Sequence, residues 1–396
     1  MKKENLPQSA INKLLDCICG LKQTCREVST GVEPEFIDEL IITLPYRPKK
    51  KYIPSDFIKM AKALYPILDQ YRDALFKVDI CDCSHNVAVV NFGNSQEIIG
   101  HIQNSPLESQ GVKQGGDANY IADLEKVILP NKGKQSKISN DPDGSFANVF
   151  ILDTGIKTNS LSTLIHSNLP IDINSIRVIP SGCNENEKIS DPHGTAVAYC
   201  LLEELCMNQP KGLKGVNIYS YNVGRLYKGK IVIPQFNVIC ALSNVLQNKA
   251  FKAKKPSYLN MSFGFELELP LVADLLNEYL VKDKKIITCS AGNFQRDLTY
   301  GAGHVNYPSA YARSSKVTGL IYEVFGNMEE VSKNRRTQVP WAVRTSTGVG
   351  TNFTTPRNHG KSHHENAVWN NDKNREGGTS FSSPRALAKI IKDMYA

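Results

Sequence analysis

From Phe146 onward, short apolar runs alternate with helical ones, and that alternation constrains the fold more than any other feature of the chain. The runs "ANVFIL" (147–152), "NIYSYNV" (217–223), "SYLNMSF" (257–263), "KIITCSA" (285–291) and "KVTGLIYEV" (316–324) have strand length and are bounded by loops. Helical patterns fall between them, at about His193 to Met207, Pro234 to Asn248 and Leu269 to Lys282. Strands that are apolar along their whole length are covered on both faces. The expectation for residues 146–396 is therefore an α/β domain, a mostly parallel sheet with helices on both faces. Functional groups in such folds gather at the carboxyl ends of the strands.

The upstream region has a different grammar. Residues 1–30 read as a short amphipathic helix on a mobile N-terminal segment. Over residues 31–105 the expected order is β-α-β-β-α: strands at "DELIITLPY", "ALFKVDIC" and "NVAVVNF", and helices at "PSDFIKMAKALYPILDQYR" and "NSQEIIGHIQN". Ser55 is the expected N-cap of the first helix. This is most of a small α+β sandwich. Residues 106–145 are rich in Gly, Pro, Ser, Asn and Lys, so an exposed linker is expected there. The polar stretch Asn327 to Asn374, with His359, His363 and His364, is expected as loop.

Charge and cysteine usage exclude several classes. A net charge of +8 over 396 residues is mild, and clusters such as "RPKKK" read as solvated faces rather than a nucleic-acid surface. No run approaches the roughly 18 apolar residues that a membrane span needs. The N-terminus lacks an apolar signal core, so a cytoplasmic location is expected, with signal-less export as the alternative. The ten cysteines have no scaffold spacing and no CxxC pair; they fit buried thiols, not a disulfide framework or a metal site.

Four short motifs stand at strand ends or helix starts. Asp153 closes the first buried strand in "ILDTGI", where an aspartate capping a turn is the ordinary reading. His193 opens a helix in "DPHGTAVA", where one ring nitrogen can face a strand-end carboxylate and the other a nucleophile. Asn293 follows a strand in "SAGN" and is either an Asx turn or a donor to an oxyanion. Ser380 opens the last helix in "GGTSFSSP", as a plain cap or as a nucleophile at the positive end of the helix dipole.

Taken together and in that order, the four motifs resemble the subtilisin-like serine proteases, the subtilases, over about Ser145 to the C-terminus; "YPSAYARSSKVTGL" (307–320) resembles the family as well. The resemblance implies a serine endopeptidase with a polypeptide substrate and the triad Asp153, His193 and Ser380. It also implies Asn293 in the oxyanion site, and Ser262, Phe263 and Gly264 as the edge on which an extended substrate adds as a strand. The 31–105 unit is similar in order to the family's propeptide, which implies intramolecular inhibition and self-processing in the linker. Calcium is common in the family, but no acidic loop marks a site, so no cofactor is expected. Phe381-Ser382 departs from the family's usual Met-Ala after the serine, and the interval from Asn293 to Ser380 is longer than the family's. A non-catalytic module that binds extended peptides is the alternative.

Overall fold

A computed structural model describes residues 36–45, 50–82, 85–92, 115–124, 136–170, 172–181, 191–206, 213–253, 255–281, 284–292, 306–314, 316–326, 361–365, 368–369 and 376–395, with Val127 and Leu129. The chain divides into two compact units, one drawn mainly from Asp38–Asn119 and the other mainly from Tyr120–Ala396.

In the first unit, β1 (Phe36–Thr43) and β2 (Phe76–Ile80) each pair antiparallel with β3 (Val87–Phe92), in the registers Leu40↔Val90 and Phe76↔Phe92. Helix α1 (Pro54–Leu64) buries Phe57, Ile58 and Ala61. It starts two residues earlier than a Ser55 cap requires, with Ile53 at the N-cap. Pro54 takes the first helical position, where its missing N–H is no loss, and the Ile53 N–H donates to Asp56 Oδ2 at 3.1 Å. The β-α-β-β order is present, and the second expected helix, 94–104, lies outside the described residues.

The expected linker is not a plain exposed segment. It contains β4 (Gly115–Asp123), whose Ala118, Tyr120, Ile121 and Ala122 are buried. Within the second unit, its Ile121–Asp123 pairs antiparallel with β9 (Lys230–Pro234), and Ile121 packs with Ile37 and Val232. Further on, the Val178 N–H donates to Ser139 O, the Asp143 N–H to Asn217 Oδ1, and Val127 and Ile138 join the main core. The reason is backbone pairing: a polar segment still supplies a full ladder of N–H and C=O groups, and two or three apolar side chains suffice to seat it.

The second unit is built on a seven-stranded parallel sheet in the order β13-β12-β11-β10-β5-β7-β6. The strands are β5 (Ala147–Asp153), β6 (Ile176–Ser181), β7 (Val216–Asn222), β10 (Ser257–Met261), β11 (Lys285–Ser290), β12 (Leu320–Gly326) and β13 (Lys361–Glu365). Their registers bring the carboxyl ends level: Asp153↔Asn222, Leu152↔Met261 and Met261↔Cys289. Ala147, Val149 and Ile151 on one face share a core with α2 (Thr158–Asn168), α3 (His193–Cys206) and α6 (Thr379–Tyr395). On the other face Phe150 stacks on Tyr219 at 4.9 Å and meets Phe251 edge-on; Phe251 stacks on Tyr279 of α5 (Pro270–Leu280). Helix α4 (Gln235–Gln247), also packed against β5, lies beside α5. Two sheet faces, each covered by helices, give the expected α/β layering.

Two further features depart from expectation. β8 (Arg225–Tyr227) and β9 form a hairpin whose turn, Lys228-Gly229, has φ of 48° and 79°, the left-handed pair that suits the twist of a two-residue connection. The polar stretch 327–374 contributes β13, parallel to β12, and the short strand Val368–Trp369, so it is not wholly loop. Cys81, Cys200, Cys240 and Cys289 are buried thiols. Burial pushes the Cys200 pKa up to about 12 and that of Cys289 well above its ordinary value. Among the described residues no helix is long and apolar enough to cross a membrane.

Candidate active site

Two junctions between a strand end and a helix start lie side by side on the parallel sheet. In the first, β5 delivers Asp153 at its carboxyl end, 1% exposed, and α3 begins with His193, which is fully buried. His193 Nδ1–H donates to Asp153 Oδ1 at 2.8 Å. The same oxygen accepts from the Thr154 backbone N–H at 2.7 Å, so the carboxylate is fixed by its own strand before the histidine reaches it. Asp153 Oδ2 is buried without a hydrogen-bond partner among the described residues.

The start of α3 is pinned at several points. The His193 N–H donates to Asp191 Oδ1 at 2.8 Å, which supplies the N-terminal cap. The Gly194 N–H donates to Thr154 Oγ1 at 3.0 Å, and the Lys157 N–H to Thr195 Oγ1 at 2.9 Å. Gly194 is a matter of space: a Cβ there would stand 2.4 Å from Gly155 O and 3.1 Å from Asp153 Oδ1. Only a residue without a side chain lets the helix approach closely enough for the histidine to meet the carboxylate.

At the second junction Ser380 lies in the first turn of α6, beside the ends of β10 and β11. The Ser380 hydroxyl donates to Ser262 O at 2.9 Å, and the Ser262 hydroxyl donates back to Ser380 O at 2.8 Å. Thr379 Oγ1 accepts from the Gly292 N–H at 3.1 Å, tying the end of β11 to the same turn. Phe381, fully buried, brings its ring to 5.9 Å from that of His193 and so joins the two junctions. Asn293 follows Gly292 directly and lies outside the described residues.

The edge residues have several tasks. Ser262 is fully buried and Phe263 is 3% exposed, packed edge-on against Phe265. Gly264 lies against Asn306, whose side-chain atoms would stand about 2 Å from any Cβ added there. Asn306 Nδ2 donates to Ser290 O at 2.8 Å, and Phe265 and Tyr307 exchange backbone hydrogen bonds of 2.7 and 2.8 Å.

Helices α3 and α6 are also joined along their length. Arg385, 4% exposed at its side chain, pairs with Glu203 at 2.6 Å, and Lys392 pairs with Glu204 at 2.6 Å. Burial works against the arginine cation, but the neighbouring Cys200 and Glu203 outweigh it and hold the pKa of Arg385 above its ordinary value. Asn306 and this ion pair are not apparent as site components in the sequence. Their signal would have been polar residues in otherwise apolar runs, where burial demands a partner.

Among the described residues no group of three His, Cys, Asp or Glu side chains is placed to hold a metal ion. No protein-family model matches the chain, and no curated protein matches it. Solved structures do. The chain is similar to the S41 psychrophilic protease at 20% identity, covering 64% of this chain and 78% of that one with a TM-score of 0.40. It is similar to the epidermin leader peptide processing serine protease of Staphylococcus aureus at 13% identity, covering 89% and 87% with a TM-score of 0.42. It is similar to the nisin leader peptidase of Lactococcus lactis at 14% identity, covering 64% and 78% with a TM-score of 0.38. These structural neighbours are subtilisin-like serine proteases.

Proposed function

We propose that the chain is a serine endopeptidase of the subtilisin-like kind, with Asp153, His193 and Ser380 as its triad. The observation that supports this most is the fully desolvated Asp153–His193 pair, 2.8 Å apart at a strand end, with the first turn of α6 held beside it through Phe381. A buried carboxylate on Nδ1 leaves Nε2 as the basic nitrogen of the neutral ring. In the proposed reaction the Ser380 hydroxyl leaves Ser262 O, turns to His193 Nε2, gives up its proton there and attacks the substrate carbonyl. His193 then returns the proton to the leaving amine, while Asp153 stabilises the imidazolium. Water, activated by the same histidine, hydrolyses the acyl-enzyme.

The oxyanion would be met by the Ser380 backbone N–H, which as a first-turn donor has no partner within the helix, and by the Asn293 amide. An extended polypeptide would add along Ser262, Phe263 and Gly264. The N-terminal unit would act as a propeptide that inhibits the site until it is cut away. A fluorophosphonate probe should label the wild type and leave Ser380→Ala unlabelled. Labelling of neither, or of both equally, would sink the enzyme and favour a module that only binds extended peptides. Intact mass of the same pair tests the processing: a cut between the two units is expected in the wild type alone, and an active but uncut wild type overturns it.

A further inference from the structure

One proline and one asparagine connect the sheet to the proposed nucleophile in a way that the triad does not require. Pro384 lies inside α6, and a proline has no N–H to donate to the carbonyl four residues earlier, which here is that of Ser380. That carbonyl instead accepts from the Ser262 hydroxyl at 2.8 Å. The missing helical bond is thus replaced by one from the neighbouring strand end, at the residue whose side chain is the proposed nucleophile.

The proton directions in the rest of the network follow from what each group can do. A carbonyl only accepts, so the single Ser262 hydroxyl proton is committed to Ser380 O and the Ser262 oxygen must accept from elsewhere. Asn260 Nδ2, 2.9 Å away, is that donor. The Asn260 amide is thereby oriented with Oδ1 towards Ser383 Oγ at 2.8 Å and Thr288 Oγ1 at 3.1 Å, both of which donate to it. Asn260 is fully buried on β10, Thr288 stands on β11, and Ser383 is on α6. One amide therefore fixes two strands and the first turn of the helix together.

We propose that Asn260 and Ser262 are positioning residues for Ser380, with Ser262 replacing through its hydroxyl the helical hydrogen bond that Pro384 removes. This rests on the reading of Ser380 as the nucleophile. Without the Ser262 hydroxyl the Ser380 carbonyl loses its donor and the first turn is free to drift. Displacements of about 1 Å near a reacting group can cost on the order of a hundredfold in rate.

The test uses the full chain and a fluorophosphonate probe at varied concentration, which separates the limiting labelling rate from probe affinity. Ser262→Ala should lower the limiting rate about tenfold or more with affinity unchanged. The double variant Ser262→Ala/Pro384→Ala should recover most of the lost rate, because alanine in place of the proline returns an N–H that can donate to Ser380 O. A wild-type rate in Ser262→Ala overturns the proposal, as does a reduced rate that adding Pro384→Ala does not restore. Should Ser262→Ala fail to fold, Asn260→Leu gives the same reading: its side chain is of similar size but cannot donate, so the Ser262 hydroxyl loses the bond that orients it towards Ser380 and the rate falls. An unchanged rate there overturns the proposal too. A wild type that does not label defeats the protease reading instead, and the two failures are distinct.

Discussion

The two strand-to-helix junctions of the site solve one problem by different physics. At the β5–α3 junction the partners are charged and the fit is steric: Asp153 meets His193 at 2.8 Å because Gly194 leaves no side chain between the helix and Gly155. At the β10–α6 junction nothing is ionised. Neutral hydroxyls and one amide cross-link the helix to two strands, in the space a proline leaves open in the helical ladder. In the proposed reaction the Asp153–His193 pair takes up and returns a proton, while the Asn260–Ser262 network only holds position.

The contrast can be broken most forcefully where the helices of both junctions meet. Glu203→Met would take from the buried Arg385 cation the carboxylate 2.6 Å away, and a loss of about 1.5–3 kcal/mol is expected, measured by denaturant unfolding. Arg385→Met/Glu203→Met should recover much of it, and a double variant no better than the single one would show that the pair is not an isolated ion pair.

Gly194→Ala sharpens the steric side. A methyl group 2.4 Å from Gly155 O must push α3 outwards. Overpacking of this kind costs about 1–3 kcal/mol, and fluorophosphonate labelling should fall far more than stability does. Labelling that survives with an intact fold would mean that the Asp153–His193 contact is not limiting.

The smallest effect belongs to a control outside both junctions. Burial raises the carboxyl pKa of Asp274 on α5 to about 6. An acid whose pKa is higher in the folded state than in the unfolded one favours folding when protonated, so its contribution is present below about pH 4 and lost as pH rises through about 6. Asp274→Asn should flatten that part of the stability profile and leave labelling alone. An unchanged profile would place Asp274 in a more solvated setting. Its partial exposure keeps the expected shift small.

The motif residues were legible because their chemistry is local. Asp153, His193 and Ser380 each sit where a periodic pattern ends and a turn or cap begins. Most of the strands were legible for the same reason: "ANVFIL" and "KIITCS" have apolar, β-branched centres and are bounded by breakers. The strands that escaped had no such signal. β13 reads "KSHHE" and β6 reads "IRVIPS", at the two edges of the sheet, where pairing depends on backbone groups that every residue carries. β4 was hidden in a segment whose composition argued for exposure, and it is ordered by a neighbour over a hundred residues away in the chain.

By itself, then, the sequence determined which residue types close the strands and open the helices, the alternation that requires a covered parallel sheet, and the order of the motifs along it, since all three depend on residue type and local spacing. The tertiary structure decided the rest. It set which oxygen of Asp153 meets which nitrogen of His193, that Ser380 rests on the Ser262 carbonyl, and that Pro384 opens a place for Ser262 to fill. Those are matters of distance between residues far apart in the chain, fixed only when helix and strand ends pack at their final separations.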